Sequence, residues 1–152
     1  LAKRRGCQVI AQVAASKANA VMAAGASRII HRNDNPAEIL GIDAVDVVVD
    51  LVAGPSWPNL LDIIARGGRY VTAGAIAGPI VELDVRTLYL KDLTLMGATY
   101  QDKTCFQNLI SYIENNEIKP IVAASLPLKD IKKAQKMFLG KNFVGKIVLT
   151  IP

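Results

Sequence analysis

Residues 45–74, VDVVVDLVAGPSWPNLLDIIARGGRYVTAG, decide the fold of this chain. The apolar run from Val45 to Val52 is interrupted only by Asp46 and Asp50. A short run so rich in β-branched residues predicts a strand buried on both faces. Gly54 and Pro55 break it. From Trp57 to Ala65 the apolar residues Leu60, Leu61, Ile63 and Ile64 recur at helical spacing, and Gly67-Gly68 stops that helix. Arg69 to Ala73 is then a second strand, ending at Gly74. Strand, helix and strand in about thirty residues make a βαβ unit. The loops that follow its strands, around Gly54 and Gly74, lie where open parallel sheets bind their ligands.

Outward from this centre the same alternation continues. Cys7 to Ala14 predicts a strand, Lys17 to Ala24 a helix closed by Gly25, and Arg28 to His31 a short strand. Asn35 is suited to cap a helix with Pro36 at its first position. Asp84 caps a short helix through Leu90; Leu93 to Thr99 is a strand and Asp102 to Asn115 a helix. Beyond a change of direction at Lys119-Pro120, Val122 to Leu126, Leu128 to Leu139 and Lys146 to Ile151 are strand, helix and strand. Such alternation predicts an α/β, Rossmann-like doubly wound parallel sheet. At the other end, Leu1 to Arg5 has the basic character of a last helical turn, with Gly6 behind it. Five residues are no free-standing helix, so the chain is expected to be a piece of a longer protein.

Composition narrows the functional classes. The 152 residues are 51% apolar but only 5% aromatic, which suits an aliphatic α/β core. No apolar run is long enough to span a bilayer. Two cysteines and one histidine exclude a zinc site built from this chain alone and suggest a reducing, cytoplasmic setting. Cys7 in a strand and Cys105 in a helix are expected to be buried thiols. The net charge of +5 invites a nucleic-acid function, but the basic residues are scattered except in 3–5 and 129–136, which have the pattern of solvated helix faces.

Several phrases then occur in a telling order: GAS-RII, VDVVVDLVAG, ARGGRYVTAGAIAG, LDVRTLYLKDLTLMGATY and LPLKDIKKAQKMF with GKIVLTIP. Together they resemble the C-terminal half of the medium-chain dehydrogenase/reductase superfamily, which includes zinc-type alcohol dehydrogenases and zinc-free quinone oxidoreductases. The resemblance covers essentially the whole chain. It implies a Rossmann domain over 1–117 lacking its first strand and Gly-rich phosphate loop. Residues 118–152 would then pack on an absent GroES-like catalytic domain. The first strand here corresponds to the family's second. The strand from Val45 should therefore have one unpaired edge.

The same resemblance nominates a cofactor site. An acid at the end of the family's second strand accepts bonds from ribose hydroxyls and repels a 2′-phosphate. This chain has Ser16 and Lys17 there instead, a hydroxyl and an ammonium that complement a phosphate. In the quinone-reductase branch the positions of Lys17 and Arg32 contact that phosphate; the second is commonly tyrosine, whereas here His31-Arg32 stands. NADP(H) is thus expected over NAD(H). Val52 and Ala53 occupy the ribose-contacting turn, and Gly74, Ala75 and Ile76 the nicotinamide-contacting turn.

No catalytic residue and no metal ligand can be named. Asp46 and Asp50 lie roughly 13 Å apart on one strand face, the first suited to strand entry and the second to capping or turning. Trp57 suits an anchor for its helix. Zinc, if used, would be bound by the absent half. The expected whole is an oxidoreductase moving hydride between nicotinamide and a small carbonyl, alcohol, quinone or enone, with this chain inactive alone. A homodimer is expected through Leu93 to Thr99, an uncharged strand unsuited to a free edge. The competing readings are a Rossmann-like methyltransferase and a non-enzymatic nucleotide- or RNA-binding protein on a dehydrogenase fold.

Overall fold

The computed structural model describes residues 1–152. The chain divides into two compact units, residues 1–29 with 102–152, and residues 30–101. The second unit holds the central βαβ. Strand β3 (Val45–Asp50) leads through a 3₁₀ turn to α3 (Trp57–Asp62), then to β4 (Ile64–Thr72), α4 (Val85–Leu90) and β5 (Thr94–Gly97). The strands lie side by side in the order β3-β4-β5, all parallel. Ahead of them come β2 (Arg28–His31) and α2 (Pro36–Leu40). Asn35 caps α2, its side chain accepting from the Ala37 amide at 3.0 Å, and Asp84 caps α4 in the same way through Arg86.

One face of the three-stranded sheet makes the core. Val48 and Tyr70 project from adjacent strands at paired positions and pack with Trp57, Leu61, Ile63 and Ile64. Burying each of these side chains contributes roughly 1.5–3 kcal/mol. The Trp57 and Tyr70 rings meet edge to face, 4.7 Å between centroids, a geometry that adds about 0.5–1.5 kcal/mol. The anchoring role expected of Trp57 is thus observed.

Three expectations for this region need correction. Strand β3 is buried on one face only: Val48 and Asp50 point into the core, whereas Val47 is 44% and Val49 69% exposed. The α3 helix stops at Asp62, not near Ala65: the Asp43 amide takes the Asp62 carbonyl, the Ala44 and Val45 amides take that of Ile63, and the Lys91 ammonium bonds the carbonyls of Leu61 and Asp62 at 3.0 and 2.9 Å. Strand β4 accordingly begins at Ile64, with its register to β3 interrupted between Val45 and Val47. Gly67, at φ 74°, and Gly68 lie inside the irregularity instead of ending a helix. Likewise β5 covers only Thr94–Gly97 of the expected span 93–99. The unpaired edge of β3 is observed: its only strand neighbour is β4.

In the first unit, a 3₁₀ turn at Lys3–Arg5 is closed by Gly6 at φ 80°, whose amide bonds the Lys3 carbonyl. Strand β1 (Ile10–Val13) is shorter than the expected 7–14. A 3₁₀ turn at Ala15–Lys17 leads into α1 (Ala18–Ala23). Helix α5 (Lys103–Glu114) starts at Asp102, whose carboxylate accepts from the Cys105 amide at 2.7 Å. Strand β6 (Val122–Pro127), a 3₁₀ turn, α6 (Ile131–Gly140) and β7 (Lys146–Thr150) form a second parallel strand-helix-strand. Arg4 donates from Nε to Glu117 at 2.6 Å and stacks 3.6 Å above the Tyr112 ring. Both cysteines are exposed, contrary to expectation. Cys7 precedes β1, and Cys105 falls in the first turn of α5, where no layer covers it. The carboxylate of Asp102 beside it pushes its thiol pKa up.

Candidate cofactor site

The βα turn after β3 is built around the Asp50 carboxylate. Asp50 is buried and accepts three groups: the Val52 amide at 2.7 Å, the Ala53 amide at 3.1 Å, and the Tyr70 hydroxyl at 2.5 Å. Burial first, then this carboxylate, raises the Tyr70 pKa well above the ordinary 10.0. Beneath the turn, Ala53 has φ 53° and ψ −146°, and Gly54 φ 73°. The first is a conformation that only glycine adopts freely, and it costs alanine about 1–3 kcal/mol. The two amide bonds to Asp50 hold the backbone there.

The loop after β4 is joined to this turn. The Ala73 amide bonds the Asp50 carbonyl at 3.0 Å, and the Ala77 amide bonds the Val52 carbonyl at 2.9 Å. A Cβ on Gly74 would come within 2.8 Å of the Leu51 carbonyl oxygen, and one on Gly54 within 2.8 Å of the Ala77 oxygen. Glycine at both positions lets the two backbones touch. The residues nominated here, Val52, Ala53, Gly74, Ala75 and Ile76, are therefore brought together by the fold. Ala53 is buried, whereas Ile76 is 77% exposed. An open cleft of about 370 Å³ abuts the junction, between Pro55, Trp57, Pro58, Ile80 and Glu82.

The phosphate-side nominees lie at or after the ends of β1 and β2. Ser16 and Lys17 end the 3₁₀ turn after β1, Ser16 exposed and Lys17 half-buried. His31 closes β2 and Arg32 follows it, both exposed. Just beyond lies a hollow of about 480 Å³ lined by Asn33, Asp34, Asn35, Glu38 and Ile39. Its two carboxylates were not singled out from the sequence, where the turn residues around them drew attention to helix capping. Tyr70 was also missed. The parallel register that sets Val48 opposite Tyr70 would have revealed it, since that register brings Tyr70 two residues from Asp50.

A model of the zinc-binding dehydrogenase family matches residues 1–115. The chain belongs to that family. Among solved structures, a protein of Sinorhizobium meliloti 1021 assigned as an alcohol dehydrogenase is 42% identical, with a TM-score of 0.88. The match covers 99% of this chain and 43% of that one. The acryloyl-coenzyme A reductase of Sulfurisphaera tokodaii is 27% identical over 150 residues, 98% of this chain and 45% of its own. The quinone oxidoreductase of Lama guanicoe is 27% identical over 125 residues, 78% and 37% of the two chains. This member of the zinc-binding dehydrogenase family thus spans less than half the length of these relatives. The expected superfamily, and the Rossmann-type α/β class with it, are confirmed.

Proposed function

We propose that the chain is the cofactor-binding half of an NADP(H)-dependent oxidoreductase acting on a small carbonyl, alcohol, quinone or enone. The observation that carries this reading is the joined pair of loops at the C-terminal ends of β3 and β4. The loop after β4 exposes Ala75 and Ile76 there, next to the glycines at which the two loops meet. A flat ring with a carboxamide suits such a place, because backbone groups at the ends of neighbouring parallel strands can bond the amide and Ile76 offers an exposed apolar side chain beside it. When bound, the nicotinamide supplies the hydride chemistry. The chain's own residues bind and orient: Val52 and Ala53 at the ribose, 74–76 at the ring, and Ser16, Lys17, His31 and Arg32 at a 2′-phosphate.

A charge-assisted bond from Arg32 or Lys17 to that phosphate would contribute about 1.5–3 kcal/mol. Titration with NADPH and NADH tests the preference, with NADPH expected to bind at least ~10-fold tighter. Tighter NADH binding would end it. One observation favours that second reading: Asp34 and Glu38 line the hollow after β2, and carboxylates there suit ribose hydroxyls better than a phosphate. Residues 118–152 would pack on a GroES-like domain, and any zinc would be held outside this chain. Alone, the chain would not turn over substrate. Measurable reductase activity from residues 1–152 would overturn that part of the reading. Family membership weighs against the methyltransferase and RNA-binding readings.

A further inference from the structure

Asp50 is 6% exposed, the one buried charged side chain of the chain's cores. Its carboxylate bonds no ligand surface directly; it bonds what forms that surface. Both amides it accepts belong to the turn at 51–54, and both are thereby turned inward. The turn consequently has no N–H at Val52 or Ala53 to offer an anion. That distinguishes it from a phosphate cradle, which works by pointing successive amides outward. The surface it leaves suits an uncharged part of a ligand.

The carboxylate also fixes a backbone that would not hold itself. Alanine at φ 53°, ψ −146° relaxes unless neighbours over-determine it. Relaxation here would not stay local. The Val52 carbonyl is the acceptor for the Ala77 amide, and Gly54 touches Ala77, so a shift of 52–54 moves the loop after β4 as well. Tyr70 supports the arrangement from below. Its hydroxyl donates to the second carboxylate oxygen, and its ring is locked against Trp57.

We propose that Asp50, backed by Tyr70, is the positioning residue for the nicotinamide end of the cofactor, setting the turn after β3 and, through it, the loop after β4. This rests on the cofactor reading above. The test uses the full-length protein and two probes: NADPH, and 2′,5′-ADP, which carries the adenine end but no nicotinamide. Asp50→Ala is expected to weaken NADPH about 10- to 100-fold while 2′,5′-ADP changes less than about 2-fold. Asp50→Asn keeps an acceptor for the two amides and should recover most of the loss. Tyr70→Phe removes one hydroxyl, keeps the ring contact, and should weaken NADPH about 3-fold. It carries the test if Asp50→Ala does not fold.

Parallel loss of both probes would overturn the proposal, since a general structural defect does not distinguish the two ends. Unchanged NADPH binding in a folded Asp50→Ala, or in Tyr70→Phe where Asp50→Ala does not fold, would also overturn it while leaving the cofactor reading intact. A wild-type protein that binds neither NADPH nor NADH would overturn both.

Discussion

Tyr70 is 1% exposed and hydrogen-bonded to a carboxylate, so its hydroxyl resists ionisation in the folded chain. The unfolded chain loses that proton near pH 10, the folded chain only well above it. A raised folded-state pKa contributes stability in full below the unfolded value, and the contribution is lost as pH climbs past about 10. Denaturant midpoints taken from about pH 8 to 11 should therefore fall more steeply in the wild type than in Tyr70→Phe. Equal slopes would show that Tyr70 ionises as easily folded as unfolded. At this scale the sequence was partly legible. Asp50 could be recognised as a turn-former and Trp57 as an anchor from local chemistry alone. The bond between Asp50 and Tyr70 could not, because it depends on the register of two strands separated by a helix. The thiols were misjudged for a related reason: whether Cys7 and Cys105 are covered depends on layers far from them in sequence.

Among the elements, helix starts were legible and one helix end was not. Asn35 and Asp84 cap their helices as expected, and Asp102, expected only as the first residue of its helix, caps it too, since capping joins residues two or three apart. The end of α3 is instead met by the backbone amides of 43–45 and by Lys91, about thirty positions later, whose ammonium also pairs with Asp43 at 2.9 Å. A cation at a helix C-terminus bonds the last carbonyls and complements the dipole. Lys91→Met, which keeps the stem and removes the charge, should lower stability by about 1–2 kcal/mol in chemical denaturation. A change under about 0.3 kcal/mol would show that solvent satisfies those carbonyls equally well. The extent of β3 shows the opposite error. Its apolar run predicted two buried faces, but the outward-facing Val47 and Val49 are uncovered. Composition announces what a strand is suited to face, and only the assembled layers determine what it does face.

For the molecule as a whole, the open strand edges matter most. Strand β5 is at one edge of the three-stranded sheet, with Met96 42% exposed and Tyr89 and Leu90 of α4 exposed nearby in sequence. A homodimer that continues the sheet across β5 would cover such an edge. Met96→Lys should then shift sedimentation from dimer to monomer, while a wild-type monomer would dismiss the interface. The opposite edge belongs to β3, and its consequence concerns solubility rather than ligands. The segment VDVVVDLV combines β-branched residues, few charges and no proline, the composition of a cross-β nucleus. Two aspartates punctuate it, but Asp50 is buried and committed to its turn, which leaves the exposed Asp46 as its lone charged guard. Asp46→Asn should hasten thioflavin-positive aggregation of residues 1–152 severalfold, without a matching fall in thermal midpoint. Pairing of β3 with another copy of itself is the event that this measurement reads.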